Sequence, residues 1–315
     1  MSTYLLQRFL LAGLTLVIVC FGAFSLLRIM PGSAAELMVT DQGYANDIPE
    51  LRKQLGLDEP IYIQLWDWVK NLARGDLGHS LYSGESITSE VAPRIPITAL
   101  LGLLIVSVGW LIGVPIGILA AVKQGTVIDE VSRTVAVFFL AVPTFWLATM
   151  FLVFSSIWFG WAPSLRFVRF TADPVEHLKI MFWPALLGGI PTSAGVIRVT
   201  RTLMLEVLRQ DYVRTARAKG LAPRAVLFRH GLRNASPPLV TILGLQVTTV
   251  VTGAVILEQV FAIPGMGRYI LEAATRRDYP VVQAILLLTA TMLVMTNLTV
   301  DVLYGYLDPR VRLGR

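Results

Sequence analysis

Six apolar runs, each long enough to cross a bilayer, recur along this chain of 315 residues: Phe9–Met30, Ile97–Val122, Val131–Phe159, Ile180–Ile197, Leu239–Leu257 and Val281–Leu307. About 20 mostly apolar residues at 1.5 Å each span the hydrocarbon core as a helix. Backbone groups there have no water to bond, so each run must satisfy its own amides and carbonyls, which a helix does. The sequence therefore predicts an all-α integral membrane protein with six transmembrane helices. With 55% hydrophobic residues, 15% charged residues and a mean hydropathy of +0.65, the chain is too apolar for a soluble globular protein of this length.

The first run could be a signal peptide, since Arg8 precedes it and the small residues Ser33, Ala34 and Ala35 follow it. It exceeds the usual apolar region of about 7–15 residues, however, and reads as a retained span. Residues 31–95 form the long hydrophilic stretch, with five basic residues against ten acids, a sign that suits the outer face. Within it, Pro49–Leu55 and Ile61–Ala73 have helical periodicity, the second with Leu65, Trp66, Val69 and Leu72 on one side. Gly75, Gly78 and Gly84 then set turns, and Pro93 and Pro96 introduce the second span. Gly113, Pro115 and Gly117 interrupt that span, and Pro143 interrupts the third. The fourth is the shortest and most broken, with Pro184, Gly188, Gly189 and Pro191, which predicts kinked helices in a non-uniform bundle. The layout is thus 1–30 for the N-terminus and first span, 31–95 for an outer loop region, 96–307 for a membrane core containing a polar segment at 198–237, and 308–315 for a tail.

Charge fixes the expected orientation. Residues 198–237 carry nine basic side chains against Glu206 and Asp211, and Arg310, Arg312 and Arg315 lie at the C-terminus. The positive-inside rule puts this face, and with six spans both termini, in the cytoplasm. The net charge of +6 follows from that topology rather than from nucleic-acid binding. The single cysteine, Cys20, excludes an intrachain disulfide. No GxxxxGK[ST] occurs, so the chain has no P-loop for ATP. His79, His177 and His230 have no metal-ligand spacing, and no catalytic residue or metal set is identified. No Asp, Glu, Lys or Arg falls in the middle third of any span; Arg28, Arg133, Glu258 and Asp301 lie near span ends. Ion-driven carriers need buried ionisable groups for coupling. Uphill transport by this bundle would need energy from outside the chain.

The polar segment is where that energy could enter. Val199–Lys219 and Arg224–Asn234 read as two helices, separated by Gly220-Leu221-Ala222-Pro223, with Gly as a stop and Pro as a start. Leu205, Leu208, Tyr212, Leu221, Val226, Leu227 and Phe228 are available for contact. Apolar anchors ringed by arginine suit docking in a partner's groove. Contact with anionic lipid is the other reading of the same charges.

DYVRTARAKGL, Asp211–Leu221, resembles the cytoplasmic EAA loop of bacterial ABC importer permeases, in the form found in the dipeptide, oligopeptide and nickel branch, first-permease type. LLRIMPGS, LGLDEPIYIQ, RGDLGHSL, IPGMGRYILEAATRRDYPVVQA and DPRVR extend the resemblance over nearly the whole chain. The alanine and glycine of the motif fall on Ala216 and Gly220; Arg214 stands at the glutamate position, and Leu232-Arg233 replaces the leucine-proline ending.

The resemblance implies a six-helix type I importer permease with a helical outer loop region, taking up peptides or related small solutes. Asp211, Tyr212, Arg214, Thr215, Ala216, Arg217, Ala218, Lys219, Gly220 and Leu221 would form the ATPase-coupling helix and its turn. The small Ala216 and Gly220 would permit close approach of the partner. It further implies a second homologous permease in a heterodimer, one or two cytoplasmic ABC ATPases, a periplasmic binding protein that meets residues 31–95 and 259–280, and surrounding lipid. The setting would be the bacterial inner membrane. No cofactor is expected in this chain, ATP and Mg being bound by the ATPases. Pro143, Thr144, Gln246, Thr248 and Asn297 are candidate pathway-lining residues, with helix–helix hydrogen bonding as the alternative role. A self-contained channel or uniporter that needs no ATPase is the alternative function.

Overall fold

The computed structural model describes residues 2–29, 59–164 and 166–307. Pro49–Leu55, the DPRVR sequence and the three C-terminal arginines lie outside the described residues. The described chain is helical: α1 Ser2–Ile29, α2 Ile61–Ala73, α3 Ile87–Val91, α4 Ile95–Val122, α5 Val127–Ala141, α6 Thr144–Phe159, α7 Pro174–Leu208, α8 Asp211–Ala218, α9 Arg233–Val260, α10 Met266–Thr275 and α11 Tyr279–Leu307. Between α8 and α9 lie a single turn at Pro223–Ala225 and a π-helical stretch, Val226–Leu232.

Among the described residues, Leu6–Ser25, Ile87–Val122, Pro174–Leu208 and Tyr279–Val300 are long and apolar enough to cross a membrane, and α5 with α6 makes a fifth if that bent pair is one span. The expected run Leu239–Leu257 lies within α9, where many side chains from 241 to 252 fall outside the described part.

Two expectations change. The run Val131–Phe159 is not one helix: α5 and α6 meet at 94°. Pro143 forces the preceding residue out of helical space, and Val142 is extended at φ −80, ψ 123. The fourth run is not the most broken but the core of the longest helix, α7, which continues through Pro184 and Pro191 for 35 residues. Beside Pro191, the Thr192 hydroxyl donates to the carbonyl of Gly188 at 2.8 Å and the Ser193 hydroxyl to that of Ile190 at 2.7 Å, the local back-bonds these residues make within a helix. Asp173 caps the helix start, accepting from the amides of Val175 and Glu176, both at 3.0 Å, with Pro174 at the first position.

The chain forms two units. One comprises Thr98–Ile263 with the terminal stretches Met1–Arg8 and Thr296–Arg315. Its central post is α7, against which α4, α5, α6 and α9 pack. A Cβ at Gly113 would lie 2.5 Å from Cβ of Val196 and 2.9 Å from the Ser193 carbonyl, and Gly109 and Gly117 meet Thr192 and Thr200 in the same way. Glycines four apart let the α4 and α7 backbones approach, the usual means of helix association where lipid supplies no hydrophobic drive.

The other unit comprises Phe9–Ile97 and Pro264–Met295. Its core joins α3, α10 and the start of α11 through Ile87, Val91, Met266, Ala273, Val281, Ala284 and Ile285. Phe24 of α1 meets Trp68 of α2 at 5.7 Å between ring centroids. Most of α1 stays exposed, including Leu10, Leu14 and Ile18, a surface suited to lipid.

Candidate functional site

The polar segment folds differently from the two-helix reading. The stretch Val199–Lys219 is split: its first half is the end of α7, and after Arg209-Gln210 the chain starts α8, Asp211–Ala218. The second helix expected at Arg224–Asn234 is not separate either, because the π-helical stretch runs directly into α9. The result is one short helix held between two long ones. A π-helix carries wider, weaker turns than an α-helix and recurs at functional positions.

Helix α8 is amphipathic. Val213, Ala216 and Val226 are buried together, with Leu208 and Leu221 packed against them. On the area scale, burying each valine contributes about 2 kcal/mol. This revises the expectation for Ala216: its methyl is buried within the chain, so its small size serves intrachain packing rather than a partner's approach. Val226, Leu208 and Leu221 likewise turn inward, leaving Tyr212 and Phe228 as the large exposed hydrophobic side chains of the segment. Arg214, Arg217, Ala218 and Lys219 are exposed. Asp211 bonds locally, 3.4 Å from Arg214, and both side chains are largely solvated. Such a pair adds little stability. Thr215 donates to the Asp211 carbonyl at 3.0 Å.

Gly220 ends α8 in the left-handed region, φ +78. Its amide bonds the carbonyl of Arg217 at 2.9 Å, and the Leu221 amide bonds that of Ala216 at 3.3 Å. These two bonds and the Leu221 contact form a Schellman motif. A Cβ on Gly220 would meet nothing within 4 Å, so conformation and not crowding requires glycine here.

Sequence reading missed the strongest polar contact beside this segment. Asp129, in the first turn of α5 and 2% exposed, takes both Nε and Nη2 of Arg201 on α7, at 2.6 and 2.8 Å. Its second oxygen also accepts from the Gly125 amide at 3.0 Å, closing the turn between α4 and α5. Arg133 approaches at 3.8 Å from an exposed position. Nearer the end of α7, Arg209 reaches Gln124 of the same turn at 3.4 Å. Asp129 sits in a short polar turn, and nothing local marks it as buried; only α7 makes it so. Truncating either partner would leave the other charge at this part-buried site without its bidentate bond.

The proposed pathway residues sit on several helices. Pro143 and Thr144 are at the bend between α5 and α6, the first exposed and the second half-buried. Gln246 on α9 faces Gly195 of α7, and its Oε1 is buried without a hydrogen-bond partner among the described residues. Asn297 is half-buried on α11, and the side chain of Thr248 lies outside the described part. Glu258, near the end of α9, is fully buried and accepts from Thr98 at 2.6 Å.

In the second unit a polar cup of about 250 Å³ is lined by Tyr82, Glu90, Arg94, Tyr269, Arg276 and Asp278, among others. Asp278 accepts from the amide of Leu81 at 3.1 Å and from the Ser80 hydroxyl, fastening the turn after α2 to the start of α11. Arg94 pairs with Glu90 at 2.6 Å and stacks 4.3 Å from the Tyr269 ring centre; Arg276 stacks 4.5 Å from that of Tyr82. Burial first, and then the Glu90 carboxylate, raise the Tyr269 phenol above its ordinary range.

Comparison with known proteins agrees in one direction. A sequence model described as the binding-protein-dependent transport system inner membrane component matches residues 113–313, and the model for the N-terminal part of such membrane components matches residues 1–102. The di/tripeptide transport system permease protein DppB of Pseudomonas aeruginosa (strain UCBPP-PA14) is 39% identical over 313 residues, covering 92% of each chain. The dipeptide transport system permease protein DppB of Escherichia coli (strain K12) is 35% identical over 336 residues, covering 99% of each. Among solved structures, an inward-facing form of the MetNI methionine ABC transporter matches with a TM-score of 0.52 at 19% identity, over 67% of this chain and 93% of that one. At that identity the likeness is one of fold.

Proposed function

The chain belongs to the family of binding-protein-dependent transport system inner membrane components, and on that footing we propose that it carries peptides across the membrane at the expense of ATP hydrolysed by a partner. It is a multi-pass membrane permease subunit of an ABC importer. The substrate class rests on the names of the two DppB relatives, which are di- and tripeptide or dipeptide permeases. The observation that carries the coupling assignment is α8: a short amphipathic helix anchored by Val213 and Ala216 on the inside, with Tyr212 and its basic side chains outward, and ended by Gly220. Such an outward face on an inward-anchored helix can dock in a groove of a cytoplasmic ATPase, which binds the ATP and Mg.

The partners proposed are one or two ABC ATPases, a second homologous permease and a periplasmic binding protein that docks on the outer segments, 31–95 and 259–280. Both termini and α8 would then face the cytoplasm, in line with the nine basic residues of 198–237. Closure of the ATPases on ATP would move α8, and with it the ends of α7 and α9, to switch access across the bilayer.

The test is reconstitution. The chain, co-expressed with its permease and ATPase partners, is placed in liposomes with the binding protein and labelled di- and tripeptides. Uptake that requires both ATP and the binding protein is expected. Peptide flux through this chain without an ATPase would replace the reading with that of a channel.

A further inference from the structure

The structure holds a second device beside the coupling helix, and we infer that the Asp129–Arg201 pair is the link that passes movement of α8 to α5 and the bend at Val142-Pro143. This rests on the importer reading, since it concerns how a coupling motion travels. Arg201 lies about two helical turns before the end of α7, where the polar segment begins. From there its guanidinium grips the first turn of α5 with two bonds, at 2.6 and 2.8 Å.

Further along, α5 and α7 meet through an apolar cluster of Ala136, Phe139, Ala194 and Ile197. Apolar packing is non-directional and tolerates sliding. A bidentate arginine–carboxylate pair fixes register and orientation together. The same carboxylate holds the Gly125 amide, and Gln124 meets Arg209, so the whole turn between α4 and α5 is tied to the end of α7. Displacement of that end must carry the start of α5 with it. The break at Val142-Pro143, where α5 and α6 stand at 94°, is the place where rotation of α5 can be taken up. Hinges are a few terminal positions that absorb the change in backbone angles. Asp129 and Arg201 are thus positioning residues that act through α5.

The experiment uses the full reconstituted importer and three readouts: amount of assembled complex, ATP hydrolysis, and peptide imported per ATP. In Asp129→Asn the side chain keeps its shape and can still accept from Gly125, but the charge is lost. The expected result is normal assembly, ATP hydrolysis within about twofold of the parent, and import per ATP lower by about tenfold, within the range of coupling effects. Arg201→Lys keeps the charge and loses the fork, and should fall between Asp129→Asn and the parent. Import per ATP unchanged in either variant overturns the inference. So does a loss of assembly that alone accounts for the loss of import, with the surviving complex coupled normally; where Asp129→Asn does not assemble, Arg201→Lys decides by the same ratio. An unmodified complex without ATP-dependent import would instead overturn the importer reading itself.

Discussion

Among the described residues, the helix ends at Gly75, Gly220, Ala262 and Arg277 close with the same pair of bonds, and they differ in which residue bears the left-handed backbone. Gly75 and Gly220 do so as glycines, whereas Ala262 and Arg277 adopt φ of 54 and 56 with side chains attached. At Ala262 the bonds are those of a Schellman motif: its own amide reaches Gln259 at 3.3 Å and that of Ile263 reaches Glu258 at 2.8 Å. An L-residue in this region costs about 1–2 kcal/mol. Ala262→Gly should therefore stabilise the chain by up to about 1 kcal/mol once the greater freedom of glycine in the unfolded state is allowed for, read as a higher midpoint of thermal unfolding in detergent. At Gly220 the logic is reversed. Gly220→Val should strain the end of α8 by about 1–2 kcal/mol and lower import per ATP, while Gly220→Asn, which tolerates the conformation, should have a smaller effect. Equal effects of valine and asparagine would show that backbone conformation is not what the position requires.

At the scale of elements, α4 and α7 hold each other by backbone approach. Gly109, Gly113 and Gly117 face Thr192, Val196 and Thr200 with no room for a methyl group: the ideal Cβ positions fall 2.8, 2.5 and 2.7 Å from the nearest side-chain atoms. Gly113→Ala should cost about 1–3 kcal/mol by overpacking, because Val196 is branched at Cβ and the nearby Ser193 carbonyl is backbone. Lowered thermal stability of the purified chain checks this, with Gly253→Ala as a control, since nothing lies within 4 Å of a Cβ there. The α5–α6 bend belongs to the same scale. Pro143 was legible as a breaker, but its outcome, a right angle rather than a kink, depends on what the two flanking helices pack against. Pro184 and Pro191 carry the same local signal and produce no break, because α7 is surrounded on several sides by helices that hold it in line.

For the whole molecule, the orientation proposed from charge makes a direct prediction. Cys20 is the chain's single cysteine, so a Cys20→Ala background is free of thiols. In that background Lys219→Cys should react with a membrane-impermeant thiol reagent only after the cell is opened, and Tyr82→Cys should react from outside in cells with a permeable outer envelope. Labelling with the opposite sidedness would invert the topology and remove α8 from the side where ATP is hydrolysed.

Sequence alone determined that this is a helical membrane protein, located most of its spans, and marked Asp211–Leu221 as the segment of interest. These are properties of local composition: an apolar run must be helical in lipid whatever it touches, and glycine after a basic amphipathic stretch ends a helix by backbone freedom alone. The tertiary structure decided what locality cannot. Ala216 is turned inward because Val213 and Val226 meet there. The segment 198–237 became one short helix between two long ones because α7 and α9 extend into it. Asp129, an unremarkable acid in a short turn, became a buried, doubly bonded carboxylate only when α7 placed Arg201 beside it. Burial and pairing belong to contacts between residues far apart in the chain, and no spacing along the sequence encodes them.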